Sequence, residues 1–190
     1  MPTKQSEMVH VKRLKKDGSV SADVFERIVR YLQDNKTVFL PVDNIYTFIS
    51  ISRKSIVKLQ ESVDAYEKRI TRLLSSYKMI NGLACYGKAD YDFMNRIWPG
   101  EVAVLLKSRE NGGDSTFMRF PKSRFIHDVI EAVDSPVESM IPVVKGRVLF
   151  RKKDLVAHYR DSSDLFVVID ELCKRHPLPT VVDICDGVLR

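Results

Sequence analysis

The chain predicts a single α/β (α+β) domain built on a mixed, open sheet with flanking helices. Three observations carry that expectation. Helix-periodic and strand-like segments alternate along its 190 residues. Thr37 to Pro41 is short and continuously apolar, the pattern of a strand buried on both faces. Trp98-Pro99-Gly100 stops a helix-like segment and an apolar, β-branched run follows at once. Proline removes a backbone donor and glycine permits a positive φ, so this reads as a sharp helix-to-strand corner with an indole on the hinge.

Residues 1–20 read as a flexible tail with a basic cluster at Lys12, Arg13, Lys15 and Lys16, closed by an Asp17-Gly18-Ser19 turn. The remainder, 21–190, reads as one domain. Ser21 can cap a helix from Ala22 to Asp34, whose Val24, Phe25, Ile28, Val29 and Leu32 recur at helical spacing. Ile45 to Ile51 is a second strand and Lys54 to Leu59 a helix, while Gln60 to Lys68 is polar and patternless. Ile70 to Leu74 is strand-like, and Ser75-Ser76 can cap a following helix. A helix from Ala89 to Ile97 enters the corner and Val102 to Leu106 leaves it. Gly112-Gly113-Asp114-Ser115 then marks a turn, Phe117 to Phe120 a strand, and Arg124 to Val133 a helix. Val143 to Phe150 reads as a strand, Ser162 to Leu172 switches from strand to helix, and Thr180 to Cys185 is a late strand.

The length suffices for one substantial core. No apolar run approaches the roughly 20 residues that span a bilayer, and Met1 to Ser21 lacks the apolar core of a secretory signal. Three cysteines, Cys85, Cys173 and Cys185, give an odd count with no paired ligand spacing. Neither a disulfide framework nor a zinc site is expected, and a reducing cytoplasm fits best. The net charge of +6 favours polyanionic partners through counterion release.

Glycine-rich phosphate loops, zinc-protease helices and nucleophile elbows are missing from the sequence. The four histidines, His10, His127, His158 and His176, are scattered and read as surface or core residues, so no metal is expected. Polar residues at strand ends remain. Asp43 and Asn44 follow an apolar strand, either at a ligand-binding mouth or in a simple Asx turn. Arg119 lies in a strand between Met118 and Phe120, so an inward guanidinium needs either a ligand phosphate or an internal carboxylate. Thr180 and Asp183 flank Val181-Val182, with Arg190 beyond. They form either a second polar cluster or ordinary edge-strand residues.

Taken together and in order, these residues resemble the YrdC/YciO family of threonylcarbamoyl-AMP synthases over nearly the whole chain, Ala22 to Arg190. The family's P-T-[ED]-[TS]-x-Y-G-L motif is similar to Pro41-Val42-Asp43-Asn44-Ile45-Tyr46-Thr47-Phe48, which keeps the proline, the acid and the tyrosine. Its W-P-G corner is similar to Trp98-Pro99-Gly100, its R-x-P strand to Arg119-Phe120-Pro121, and its last strand to Pro179-Thr180-Val181-Val182-Asp183 with one residue missing. The arginine after that strand is similar to Arg190. The resemblance implies an open twisted sheet around a large, concave, basic cavity. It also implies ATP, with Mg²⁺, threonine and bicarbonate as substrates, and an adenylate product used to modify tRNA. Double-stranded RNA binding is described for some members.

The chain departs from that pattern where the family binds its ligands. Ser62-Val63-Asp64 stands where a K-x-R pair is expected, with Lys68 and Arg69 nearby as substitutes if the loop is shifted. The S-T-S-A-N cradle is replaced by Glu138-Ser139-Met140-Ile141-Pro142, which keeps Ser139. Each lost donor is worth about 1–3 kcal/mol to a charged ligand. The resemblance therefore implies a divergent nucleotide- or RNA-binding protein with weak or lost synthase activity. Arg119, Lys68, Thr180, Ser139 and Arg190 would supply donors, and Asp43 and Asn44 would meet the small substrate. Two alternatives are an active L-threonylcarbamoyladenylate synthase that uses Lys68 and Arg69 for the triphosphate, and a non-catalytic interaction protein.

Overall fold

The computed structural model describes residues 6–110 and 114–185. Its strands are β1 (Glu7–Val11), β2 (Val38–Val42), β3 (Ile45–Ser50), β4 (Thr71–Leu73), β5 (Ala84–Cys85), β6 (Val102–Ser108), β7 (Ser115–Arg119), β8 (Val137–Met140), β9 (Leu165–Ile169) and β10 (Thr180–Asp183). The helices are α1 (Ala22–Gln33), α2 (Arg53–Leu59), α3 (Tyr77–Leu83), α4 (Lys88–Ile97), α5 (Arg124–Val133) and α6 (Lys152–Tyr159). The strands form one mixed sheet in the order β1-β9-β2-β3-β8-β4-β7-β6-β10, with β5 paired to β6. The expected α/β architecture with an open mixed sheet is the one found.

Burial decides which segments enter the sheet. β2, β3, β8 and β9 are buried along their whole length. α1 presents Val24, Ile28 and Leu32 to one face and packs against α5, which buries Phe125, Ile126, Val129 and Ile130. The other face carries an aromatic cluster in which Phe39 stacks on Phe166 at 4.7 Å and Tyr159 meets Phe48 edge-on. A third cluster gathers Trp98, Met94, Met118 and Phe120 around the corner after α4.

Two expectations need correction. Glu7–Val11, read as part of a flexible tail, is a strand paired in parallel with β9 from Glu7↔Leu165 to Val11↔Ile169. Glu7 is also tied to α1, accepting from Tyr31 Oη at 2.6 Å and Arg27 Nη1 at 2.7 Å. Val143 to Phe150 is not a strand: Lys145 and Gly146 take positive φ values of 50° and 74°, and Val144 bridges to Arg147. The strand lies just upstream, at β8, where Glu138 and Ser139 broke the apolar pattern. The proposed turn at Gly112-Gly113 lies outside the described residues.

The connection from β9 to β10 matters for function. These strands lie seven steps apart in the sheet. The link between them opens with a turn at Asp170–Leu172. Pro177 and Pro179 keep it extended. It carries Lys174, Arg175 and His176 across the ends of the intervening strands.

Candidate functional site

The corner after α4 aims a guanidinium. Trp98 Nε1 donates to the Val102 carbonyl at 2.6 Å, and its ring stacks on Phe120 at 4.9 Å. Gly100 N donates to Phe120 O at 2.9 Å, and Gly100 O accepts from Arg119 Nε at 2.9 Å. A Cβ at position 100 would collide with the Ile97 carbonyl, so the approach requires glycine.

Arg119 then points at Asp43, and Nη2 pairs with Oδ2. Asp43 occupies the β2–β3 hairpin turn at φ 56°, a conformation that Asp tolerates. Its Oδ1 accepts from the Ser123 amide at 2.6 Å and so caps the start of α5. Only 5% of the Arg119 side chain and 6% of the Asp43 side chain are exposed. Burial pushes the Asp43 carboxyl above its usual range despite Arg119, and burial pushes the Arg119 guanidinium down. Of the two partners that the sequence left open for Arg119, the internal carboxylate is the one present.

Beside this pair lies a cavity of about 30 Å³, lined in part by Thr47, Tyr66, Arg69, Thr71, Arg119 and Ser139. That is room for about two waters. Two of its hydroxyls are engaged: Ser139 Oγ donates to Thr71 O at 2.8 Å and Thr47 Oγ1 to Ile45 O at 3.1 Å. Arg69 pairs with Glu67 and lies over the Phe117 ring at 4.6 Å. Positive φ at both Glu67 and Lys68 turns the loop, leaving Lys68 exposed and away from the residues lining the cavity. Glu138 accepts from Arg72 Nε at 2.8 Å and Arg53 Nη1 at 2.9 Å, and Arg72 also meets Glu110 at 2.7 Å.

A larger cleft of about 850 Å³ adjoins the cavity and shares Ile45 and Tyr66 with it. Asn44, Arg147, Lys174, Arg175 and His176 line it, and no carboxylate is among its lining residues. His176 Nε2 lies 3.7 Å from Glu101. Asn44 comes from the β2–β3 turn, Arg147 from the turn after β8, and Lys174, Arg175 and His176 from the β9–β10 link.

Of the eight residues read from the sequence, Arg69, Arg119 and Ser139 converge on the small cavity, with Asp43 joined through Arg119. Asn44 lines the cleft. Lys68 is at neither place, and Thr180 is exposed at the start of β10, next to the cavity-lining Pro179. Arg190 lies outside the described residues. Sequence reasoning missed Arg147, Lys174, Arg175 and His176. The Lys174-Arg175-His176 run was a visible signal, but its position over the strand ends depends on the sheet order.

No protein-family model matches this chain, and no curated protein does. Solved structures do match. YciO from E. coli superposes with a TM-score of 0.83 at 13% identity, over 97% of this chain and 93% of that one. A Sua5 variant from P. abyssi gives 0.79 at 14%, over 97% of this chain and 58% of its own. HypF, solved in a phosphate- and nucleotide-bound form, gives 0.71 at 13%, over 87% of this chain and 28% of that protein. At these identities the likeness establishes the architecture, and the chain has the YrdC/YciO/Sua5 fold that the order of its motifs implied.

Proposed function

We propose that this chain binds the phosphate backbone of RNA, tRNA or a double-stranded segment, in the cleft between the β9–β10 link and the turn after β8, without threonylcarbamoyl-AMP synthesis. One observation carries the reading: the cations of the open cleft face no carboxylate in its lining, whereas those of the central cavity are paired internally. Backbone recognition needs positive charge along a trough and little else. Adenylate synthesis needs free cations placed around a triphosphate, and those of the central cavity, Arg119 and Arg69, are already paired with Asp43 and Glu67. The net charge of +6 supports the same partner class.

A second reading, a bound mononucleotide, is favoured by the cleft's size. About 850 Å³ falls within the usual range for small-molecule sites. HypF, a structural neighbour, was solved with nucleotide.

Fluorescence anisotropy with a labelled RNA duplex and a tRNA transcript, over a salt series, tests the first reading. Titration calorimetry with ATP and Mg²⁺, with and without threonine, tests the second. Salt-dependent RNA binding with no heat from millimolar ATP is the expected result. Micromolar ATP binding that tightens with threonine would overturn it in favour of a working synthase.

A further inference from the structure

On the outer face of α5, away from the cleft, lies a donor set that the proposed function does not use. Burial of Phe125, Ile126, Val129 and Ile130 fixes the helix's inner stripe, so His127, Asp128 and Glu131 project from the other side at i, i+1 and i+4. One ligand atom from each lies within 4.8 Å of the other two.

The imidazole is oriented from outside this set. His127 Nε2 lies 3.1 Å from the Ser75 carbonyl, on the loop before α3. A carbonyl only accepts, so the proton of the neutral ring sits on Nε2 and the lone pair on Nδ1. Nδ1 faces Glu131 Oε2 at 3.8 Å and Asp128 Oδ1 at 4.0 Å. Both separations are too long for hydrogen bonds. On a tetrahedral divalent ion, bonds of about 2.0–2.2 Å put neighbouring donors about 3.4 Å apart, so these three side chains, each at least one-third exposed, must draw in slightly to close on an ion. A backbone carbonyl holding the far nitrogen is the usual outer-shell support of a metal-binding histidine. Asp128 has one competing partner, Arg124 Nε at 3.5 Å, an exposed and loosely held contact that a metal would displace.

We propose that His127 Nδ1, Asp128 and Glu131 form a binding site for a divalent transition metal, with zinc the best match to one imidazole and two carboxylates. All three donors come from one side of a single helix, so the remaining coordination positions open to solvent. Borderline nitrogen with hard oxygen donors suits Zn²⁺, Mn²⁺ and Fe²⁺, and the affinity order among these favours zinc. The donor spacing is the i, i+4 arrangement of helical zinc sites. It escaped the sequence reading because a lone histidine shows neither its tautomer nor its orienting carbonyl.

The test is calorimetric titration of the full chain with ZnCl₂ at pH 7.5, repeated with Co²⁺ and read by absorption. The expected result is one equivalent bound, with a cobalt spectrum of nitrogen and oxygen ligation and no thiolate charge-transfer band. His127→Ala and Glu131→Gln should each weaken binding at least tenfold. Glu131 is mostly exposed, so Glu131→Gln keeps the test valid if loss of the Ser75 contact disturbs folding in His127→Ala. Absence of binding at millimolar zinc overturns the proposal. So does binding unchanged in Glu131→Gln, or a thiolate band, which would place the ion on a cysteine.

Discussion

The central cavity and the neighbouring cleft share two lining residues yet treat charge in opposite ways. In the cavity, Arg119 is consumed by Asp43, and Arg69 is held by Glu67 and the Phe117 ring. In the cleft, Arg147, Lys174 and Arg175 are exposed to water. A buried guanidinium must be paired by the protein itself, because the cost of desolvation is incurred on folding whether or not a ligand arrives. An exposed cation carries little such cost and keeps its charge for a partner. The first region has become part of the core, and the second remains a surface on which a polyanion can act.

The comparison sharpens most strongly at the buried network. Glu138, 6% exposed, is held by Arg72 and Arg53. Burial lowers the Arg72 pKa, but the charges of Glu138 and Glu110 outweigh it and hold the guanidinium above its ordinary value. Glu138→Ala leaves Arg72 buried with Glu110 as its remaining partner, at a cost of about 3–5 kcal/mol. Urea denaturation should show the midpoint falling steeply at nearly constant slope. Arg175→Ala in the cleft should stay within about 0.5 kcal/mol of wild type. Equal losses at the two positions would erase the distinction between core and surface charge.

The Arg119–Asp43 pair comes next. Arg119→Met strands a buried carboxylate and should cost about 3 kcal/mol, while Asp43→Asn with Arg119→Met should recover part of that loss. The pH dependence gives a second handle. Burial raises the folded-state pKa of Asp43, so its favourable contribution is full below the ordinary aspartate value of about 3.9. That contribution is lost as pH rises through the folded pKa. Asp43→Asn should remove this contribution from the stability–pH profile. RNA affinity should be unchanged by Arg119→Met, and a large drop would move the binding surface into the cavity.

Much of the scaffold was legible because its signals are local. α1, α4 and α5 follow apolar periodicity, and the Trp98-Pro99-Gly100 corner follows backbone chemistry, so each was placed to within a residue or two. β1 was not, because five residues without a clean alternation gain meaning only beside β9, more than 150 positions away. β8 was hidden for a different reason. Glu138 reads as a surface residue until Arg72 and Arg53, from two other elements, surround it. The site divided along the same line. Residues next to a motif, such as Asp43 and Arg119, were found, while their pairing with each other, 76 positions apart, was not. Cleft residues were missed because only the β9–β10 crossing gathers them.

For the cleft itself, Lys174→Ala with Arg175→Ala should weaken duplex RNA binding about tenfold at moderate salt. It should also reduce the slope of log affinity against log salt by about two, roughly one for each phosphate contact removed. The loss should be similar for unrelated sequences, since backbone contacts carry no sequence information. A loss confined to one RNA would mean that Tyr66 or Asn44 reads a base.

The smallest effect concerns the strand that the sequence read as a tail. Glu7 joins β1 to α1, and its carboxyl is held below the ordinary glutamate range, first by the Tyr31 hydroxyl and then by Arg27, against the opposing effect of burial. A lowered folded-state pKa has the opposite sign to that of Asp43. Its stabilisation is present above the ordinary value of about 4.3 and is lost as pH falls through the folded pKa. Because 36% of the Glu7 side chain is exposed, solvent screening limits the effect to a few tenths of a kcal/mol. Tyr31→Phe should abolish most of it and raise amide exchange in β1 above about pH 4.3, where the ionised carboxylate stabilises the wild type, leaving β2 and β9 protected. Uniform exchange across all three strands would mean that β1 is held by its ladder to β9 alone, and that the carboxylate contributes nothing to its order.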